Sequence, residues 1–154
     1  MELSEVLSAK QVCTELQSNQ RDQAVHELLD LLVENGNLAE EYVEPLLRAI
    51  IKRETLGTTA IGRGIAVPHA RLEGVGETSM AVGLSSEGVE FHALDGQPVR
   101  AVFLVVGCEN TPDDYIKAMK QVSELVQTED FRRFLFDVEG SEEVVDLVVE
   151  MAGR

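Results

Sequence analysis

The amino-acid sequence predicts an α/β fold in a single compact domain with a mixed β-sheet. Segments with strand-like apolar patterns alternate with segments of helical periodicity, as in α/β proteins. The connections between the predicted strands vary in length, which favours a mixed sheet over a wholly parallel one. The 154 residues are 44% hydrophobic, which is ordinary for one globular domain with a sizeable core.

A short strand followed by an amphipathic helix is predicted in the N-terminal region. Residues 12–16 alternate apolar and polar side chains, as a half-buried strand does. A helical pattern of apolar residues then extends over residues 20–35. We expect Asn19 to cap this helix and Gly36 to end it.

A second helix is predicted to end at Arg53. Its pattern begins at residue 39 or 40, but proline is tolerated only in the first helical turn, so Pro45 moves the expected start towards Val43. The helix dipole favours a cation at the C-terminal end of a helix. A purely structural role for Arg53 therefore stays open.

Four strands are predicted in the middle of the chain. The first is a short apolar run at residues 65–67, which Pro68 ends because proline lacks a backbone N–H. Two more strands are predicted at residues 80–84 and 89–91. Residues 99–106 are almost continuously apolar, as expected of a central strand that is buried on both faces.

Three helices are predicted after this central strand. In the first, Thr111 is the expected cap and Pro112 the first helical residue. This helix is expected to run to about residue 127 on an apolar face made of Ile116, Met119, Val122, Leu125 and Val126. Thr128 is expected to cap a short helix, and Ser141 to cap the last one.

The charge balance disfavours several classes of partner. The chain has 13 basic and 28 acidic residues, for a net charge of −15. Nucleic acid and anionic membrane surfaces are disfavoured because they require clustered cations, whereas a basic protein partner is favoured. Cys13 and Cys108 match no zinc or redox spacing, and no signal segment or long apolar stretch occurs. We therefore expect a cytoplasmic protein with free thiols and no membrane insertion.

Residues 62–71, Gly-Arg-Gly-Ile-Ala-Val-Pro-His-Ala-Arg, contain the strongest functional signal. Pro68 ends the apolar run, and His69 follows where a buried element is expected to reach the surface. Arg63 and Arg71 bring cations near this imidazole in an otherwise acidic chain. An imidazole in such surroundings suits nucleophilic or phosphate chemistry. A plain loop histidine is the alternative.

Two other kinds of site find little support in the sequence. The pair Gly62 and Gly64 lacks the third glycine and the helix of a dinucleotide-binding motif, and no P-loop pattern follows. His26, His69, His92 and the two cysteines show no metal-ligand spacing. His26 and His92 are expected to be surface residues. The sequence therefore predicts neither a nucleotide nor a metal site.

The segment around His69 resembles the active-site signature of the type-2 enzyme IIA domains of the bacterial phosphoenolpyruvate-dependent phosphotransferase system. This family includes fructose- and mannitol-specific IIA domains and nitrogen-regulatory IIA proteins. The matching residues are Arg53-Glu54, Thr58-Thr59, Ile61-Gly62 and residues 64–69. The likeness extends from residues 3–7 to residues 141–144, so residues 1–154 are identified as one such domain. The resemblance implies a compact mixed sheet with helices on both faces.

The resemblance also implies roles for individual residues. His69 would accept the phosphoryl group on Nε2, and Arg53 would approach the histidine and hold the phosphoryl oxygens. Thr59 is a candidate hydroxyl donor to the ring or the phosphoryl oxygens, with stabilisation of a turn as the alternative. Arg63 and Arg71 would steer a phosphorylated partner, or they are solvated loop charges.

The same resemblance implies the partners of the reaction. The donor would be the histidine phosphocarrier protein. The acceptor would be a IIB domain or a regulatory target protein. The covalent phosphoryl group on His69 would be the only added group, and no cofactor is expected.

One position departs from the family pattern. Many members carry a second histidine at the start of the helix after the long apolar strand, and Tyr115 stands there. A phenol can donate a hydrogen bond but cannot share a proton at neutral pH, and Tyr115 could equally be a packing residue. This departure, with no fused IIB or IIC segment in the sequence, favours the nitrogen-regulatory type. A sugar-specific IIA component, or a binding module that has lost onward transfer, is the alternative.

Overall fold

A mixed sheet of five strands lies between two layers of helices in the computed structural model, which describes residues 2–152. The strands are short at both edges of the sheet and long in its centre. They are β1 (Val12–Cys13), β2 (Ile65–Ala66), β3 (His69–Leu72), β4 (Ser79–Val89) and β5 (Val99–Cys108). Among the described residues, no helix is long and apolar enough to cross a membrane.

The strand order is β1-β4-β5-β2, and β3 also pairs with β5. The long strands β4 and β5 are antiparallel, whereas β1 runs parallel to β4, and β2 and β3 run parallel to β5. The prediction of a mixed sheet in a single compact domain is therefore confirmed.

Within residues 2–152, two helices cover one face of the sheet and three cover the other. The first layer consists of α1 (Arg21–Glu34) and α2 (Val43–Leu56). The second layer consists of α3 (Asp113–Val126), α4 (Glu129–Leu135) and α5 (Ser141–Met151). Short 3-10 helices lie at Leu3–Glu5, Ala9–Gln11 and Glu40–Tyr42.

The alternation of side chains along β5 divides the core into two clusters. Val102, Leu104 and Val106 are fully buried against the layer of α1 and α2. Phe103 and Val105 point to the opposite face, towards α3, α4 and α5, and are also fully buried. Since successive side chains of a strand point to opposite faces, a strand buried on both sides must be apolar throughout. The prediction of a central strand at this position is confirmed.

Several predicted strand boundaries were wrong. The segment at residues 80–84 belongs to a longer strand, β4, which ends at Val89 and has an irregularity in its pairing with β5 between Leu84 and Val89. The strand predicted at residues 89–91 therefore does not exist as a separate element, and Glu90 forms only an isolated bridge with Gln20. β1 contains only two residues instead of five. The chain also pairs again after Pro68, in β3, where the sequence predicted that the strand ended. Each difference depends on backbone pairing with a distant strand, which local patterns do not report.

The ends of the helices also differ in part from the predictions. α1 is capped at Gln20 rather than Asn19, α3 at Pro112 rather than Thr111, and α5 at Gly140 rather than Ser141. Thr128 does stand at the cap of α4, without a side-chain hydrogen bond.

The two helices of the first layer follow their predictions more closely. α2 begins at Val43, as expected, and continues one turn past Arg53 to Leu56. Gly36 ends α1 with a φ of 78°, a conformation that glycine adopts without steric cost.

The buried face of α3 is rotated relative to the prediction. Ile116 was expected to be buried, but 56% of it is exposed. Tyr115 and Ala118 are buried in its place, together with Val122 and Leu125. Gly107 lies directly under Tyr115, and its missing side chain leaves the room that the phenol ring occupies.

Candidate functional site

β2 and β3 are two halves of one strand, interrupted at Val67 and Pro68. Ile65 pairs with Ala101 and His69 pairs with Val105, so the register with β5 is the same before and after the interruption. Across the gap, the Pro68 carbonyl accepts a hydrogen bond from the Val105 N–H at 3.1 Å. His69 therefore lies at a rigid position in the sheet rather than in a loop.

The imidazole of His69 is oriented by the backbone just before it. Its Nδ1 lies 2.7 Å from the carbonyl oxygen of Val67. A carbonyl oxygen only accepts hydrogen bonds, so Nδ1 must carry the proton in this contact. In the neutral ring, the lone pair is then on Nε2, and Nε2 is the nucleophilic nitrogen.

His69 lines a groove of about 710 Å³ between the edge of the sheet and α3. The sheet edge and the loop before it contribute Thr59, Ile61, Gly62, Arg63, Ile65 and Val67. The helical side contributes Met119, Ser123, Val126, Gln127 and Arg132, and Asp95 lies in the turn before β5. The structure thus brings three of the predicted site residues together: His69, Thr59 and Arg63.

A buried carboxylate holds the loop that contains Thr59. Glu54, in the last turn of α2, is only 3% exposed. One of its oxygens accepts hydrogen bonds from the Thr59 N–H at 3.0 Å and the Thr58 hydroxyl at 3.2 Å. The other accepts the Thr59 hydroxyl at 2.6 Å. The Thr59 hydroxyl is therefore engaged with Glu54 and not with the imidazole.

A second carboxylate holds the loop nearer to His69. Arg63 has a positive φ of 64°, and its backbone N–H donates to Asp95 Oδ2 at 3.1 Å. The other oxygen, Oδ1, accepts the N–H of Gln97 at 3.0 Å. Asp95 therefore joins the loop to the turn before β5, and the Arg63 side chain is left exposed at the mouth of the groove.

Arg53 lies outside the groove. It is exposed, and its Nη1 donates a hydrogen bond to the carbonyl of Gly57, the residue that follows α2. This contact satisfies a carbonyl at the helix C-terminus, the structural role that the sequence left open. The contact uses one of the five N–H donors of the guanidinium.

Tyr115 and Arg71 contact each other beside β3. The guanidinium carbon of Arg71 lies 5.6 Å from the centre of the Tyr115 ring. Burial raises the pKa of Tyr115 to about 12, although the Arg71 charge partly opposes this shift. The phenol is therefore neutral at physiological pH. Neither residue is among those that line the groove, and the position of Tyr115 is that of a packing residue.

Three charged residues at or beside the groove could not be identified from sequence patterns alone. These are Glu54, Asp95 and Arg132, and no motif or spacing in the sequence indicates a role for Asp95 or Arg132. An arginine in a short amphipathic helix such as α4 is usually solvated. Arg132 is 8% exposed in the structure. Only the fold shows that Asp95 and Arg132 line the groove and that Glu54 lies beneath the loop next to it.

The remaining histidines and cysteines lie elsewhere. His26 is near Asp30, at 3.0 Å, and His92 is near Glu90, at 3.7 Å; both side chains are substantially exposed. Cys13 and Cys108 are free thiols. Within residues 2–152, no group of three or more histidine, cysteine or acidic side chains is placed to hold a metal ion.

Comparison with known proteins gives a consistent picture. The model of the family described as "Phosphoenolpyruvate-dependent sugar phosphotransferase system, EIIA 2" matches residues 5–151. The fructose-specific EIIA component of Haloferax volcanii is 30% identical over 85% of this chain and 84% of its own length. A nitrogen regulatory protein of Bradyrhizobium diazoefficiens is 28% identical over 88% of this chain and 86% of its own length.

The chain spans only part of some longer relatives. Over 96% of this chain, the sequence is 29% identical to the fructose-specific EIIABC component of Bacillus subtilis. The match covers only 23% of the length of that longer protein.

Solved structures share the same fold. The nitrogen regulatory protein IIA-Ntr of Neisseria meningitidis superposes with a TM-score of 0.83, at 26% identity, over 95% of this chain and 98% of that one. The mannitol-specific IIA of Escherichia coli, solved in complex with phosphorylated IIB, gives a TM-score of 0.70 at 22% identity, over 94% of this chain and 97% of that one. The predicted helices on both faces of a mixed sheet are thereby confirmed.

Proposed function

This chain belongs to the EIIA type 2 family of the phosphoenolpyruvate-dependent sugar phosphotransferase system, and we propose that it carries a phosphoryl group on Nε2 of His69. The donor in this proposal is the histidine phosphocarrier protein. The observation that supports it best is the 2.7 Å contact between Nδ1 and the Val67 carbonyl, because it leaves the lone pair on Nε2. We further propose that the protein acts in the cytoplasm.

The transfer moves one phosphoryl group from the imidazole of the donor to the imidazole of His69. The Nε2 lone pair of His69 attacks the phosphorus of the donor's phosphohistidine, and a new P–N bond forms. The old P–N bond breaks, and the donor nitrogen keeps the electron pair. The proton on Nδ1 of His69 does not move, and its hydrogen bond to Val67 stabilises the positive charge that the phosphorylated ring acquires. The proposal includes no cofactor.

The side chains around His69 have supporting roles in this scheme. Alignment of the two imidazoles and neutralisation of the phosphoryl oxygens are the main requirements of such a transfer. Arg63 is the exposed cation of the groove, and we assign it to the attraction of the phosphorylated donor. Arg53 holds the phosphoryl oxygens in this scheme, with donors that its contact with Gly57 leaves free. Thr59 contributes by fixing the loop.

We favour the nitrogen-regulatory type of function over transfer to a sugar permease. By the resemblance of the chain to the family, Tyr115 stands where many members carry a second histidine, so onward transfer would have one imidazole fewer. Tyr115 also lies outside the groove. The likeness to nitrogen regulatory proteins supports the same choice. The fructose-specific EIIA component of Haloferax volcanii supports the second candidate, a sugar-specific IIA component that donates to a IIB domain.

Intact-mass spectrometry tests the proposal. The protein is incubated with phosphoenolpyruvate, enzyme I and the phosphocarrier protein, beside the variants His69→Ala and His92→Ala. We expect one acid-labile phosphoryl group on the wild type and on His92→Ala, and none on His69→Ala. Labelling of a folded His69→Ala variant, or no labelling of the wild type by partners that are active on a control protein, would overturn the proposal.

A second step separates the two types of function. The phosphorylated protein is mixed with a purified fructose-type IIB domain, and the loss of its phosphoryl group is followed over time. Rapid transfer to IIB identifies a sugar-specific component. A phosphoryl group that stays on His69 supports the regulatory type.

A further inference from the structure

Arg132 lies towards the end of the groove that is far from His69. Its Nη1 donates to the carbonyl of Val126 at 2.8 Å, and Val126 is the last residue of α3. The first turn of α3 is at the other end, where Tyr115 contacts Gly107 beside β3. The part of α3 that lines the groove, from Met119 to Val126, spans roughly 10 Å. The groove therefore has an imidazole towards one end and a guanidinium towards the other.

The guanidinium of Arg132 has donors to spare. The residue is 8% exposed, and within residues 2–152 it forms no ion pair with a carboxylate. An arginine carries five N–H donors, and its charge is costly to bury without an anion. Its neighbour Arg133 contrasts with it: Arg133 is exposed and pairs with Asp130 at 3.1 Å. Arg132 can therefore bind an anion that comes from outside the described chain.

The groove is a positive site on an acidic protein. The chain has a net charge of −15, yet the groove is lined by Arg63, Arg132 and His69. Asp95 is the carboxylate that lines it within the described part of the chain, and both its oxygens already accept backbone N–H groups. An anion that enters the groove therefore meets free donors and little repulsion from nearby charges.

The walls of the groove between the charged residues are apolar. Ile65 and Val67 line it from the sheet edge, and Met119 and Val126 line it from α3. A volume of about 710 Å³ lies within the range of small-molecule sites. Such sites combine apolar walls with a few charged or polar groups that fix the orientation of the ligand.

We propose that this groove binds a small organic anion, with its phosphate or carboxylate group on Arg132 and its apolar part against the walls. Such a ligand shares the groove with His69, so its binding excludes the phosphorylated donor and slows phosphorylation. This regulatory consequence rests on the function proposed above. The binding itself does not, because it involves the unphosphorylated protein alone.

Phenyl phosphate is a suitable probe because it joins an apolar ring to a phosphate group. Binding is followed by two-dimensional NMR of the unphosphorylated protein and compared with phenol and inorganic phosphate. We expect phenyl phosphate to bind about 10-fold more tightly than either fragment, since it gains both contacts. The shifted signals should lie in β2, in α3 and at Arg132.

Arg132→Gln and Arg133→Gln are matched variants for this test. The first should weaken phenyl phosphate binding by about 10-fold or more, because it removes a charged hydrogen-bond donor. The second changes a neighbouring arginine outside the groove and should leave binding unchanged. Equal affinity of the wild type and a folded Arg132→Gln variant for phenyl phosphate would overturn the proposal.

Arg132 also satisfies the Val126 carbonyl, so a second pair of variants leaves it in place. Ser123→Asp puts a carboxylate on the wall of the groove, and Ser123→Asn is its neutral control of the same size. We expect the aspartate to abolish phenyl phosphate binding and the asparagine to retain it. Equal binding by both variants would contradict an anion site in this groove.

Phosphorylation assays separate this proposal from the function of His69. Phenyl phosphate should lower the initial rate of phosphorylation of the wild type and have a much smaller effect on Arg132→Gln. A wild type that is not labelled even without phenyl phosphate refutes the relay function but leaves the binding result valid. If phenyl phosphate does not bind but Arg132→Gln raises the KM for the donor protein, the groove is a protein-docking surface and the small-molecule proposal is wrong.

Discussion

The hydroxyl of Thr59 donates a hydrogen bond to the buried carboxylate of Glu54, at a distance of 2.6 Å. A hydroxyl group has one hydrogen to donate. While this bond exists, Thr59 cannot also donate to the His69 ring or to a phosphoryl oxygen. The interaction favours the turn-stabilising role among the two that the sequence left open, and it makes Glu54 the residue that positions the loop at the groove.

Glu54→Gln should therefore destabilise the protein and the loop together. The substitution replaces one of the two acceptor oxygens by an NH₂ group that faces donors, and we expect a loss of about 1–3 kcal/mol in the free energy of unfolding. Urea denaturation followed by circular dichroism measures this loss. Glu41→Gln, at an exposed position, is the matched control and should change stability by less than about 0.5 kcal/mol. Equal stabilities of the two variants would contradict the role of Glu54.

Arg53→Ala should lower the rate of phosphoryl transfer more than it lowers stability. Its contact with the Gly57 carbonyl is exposed and should contribute only about 0.5–1 kcal/mol to folding. A guanidinium that moves onto the phosphoryl oxygens in the transition state would change the rate by about 10-fold or more. Stopped-flow transfer from the phosphorylated donor, with Arg48→Ala as a control on the same helix, measures this change. An unaltered rate would restrict Arg53 to its structural contact.

Tyr115 should make the protein less stable at alkaline pH. Burial raises its pKa to about 12 in the folded state, above the value near 10 in the unfolded state. The folded protein therefore holds this proton more tightly, and the free energy of unfolding falls as the pH rises from 10 towards 12, by up to about 2 kcal/mol.

Tyr115→Phe removes the Tyr115 contribution to the alkaline loss of stability, and Tyr42→Phe leaves that contribution in place. Urea denaturation at pH 9 and pH 11 should show a smaller difference between the two conditions for Tyr115→Phe than for the wild type or Tyr42→Phe. The same pH dependence in all three proteins would show that Tyr115 is not the group responsible.

Gly107→Ala should destabilise the protein through the close approach of α3 to β5. A Cβ atom at Gly107 would lie 2.9 Å from the Cβ of Tyr115, too close for two carbon atoms. Moving the helix away costs about 1–3 kcal/mol, measurable as a lower melting temperature. Gly76→Ala is the control, because a Cβ there meets no atom within 4 Å. A normal melting temperature of Gly107→Ala would mean that α3 shifts freely.

The parts of the fold that depend on local pattern could be predicted from the sequence. The continuous hydrophobicity of β5 and the apolar periodicity of α1 sufficed, because each element buries the face that its own pattern defines. The resumption of the strand at His69 could not be predicted, since it depends on pairing with Val105. The rotated face of α3 depends likewise on the space above Gly107, which only the folded chain shows.

The residues of the candidate site also include some that the sequence could predict and some that it could not. His69 could be identified from its motif because its position after Pro68 is a local property of the chain. The roles of Glu54 and Arg132 depend on burial and on partners elsewhere in the structure, and no spacing in the sequence indicates these. Arg132 differs from Arg133 only by its place on the helix face, and this difference decides which arginine enters the groove.

The short outer strands of the sheet also bear on self-association. β1 is two residues long at one edge. At the other edge, β2 and β3 contain two and four residues and are separated by Val67 and Pro68. A long, regular edge offers a template on which strands of other molecules can add and start aggregates. The Val67 carbonyl between the two strands is already occupied by Nδ1 of His69, so the contact that orients the imidazole also removes an acceptor that an added strand would need.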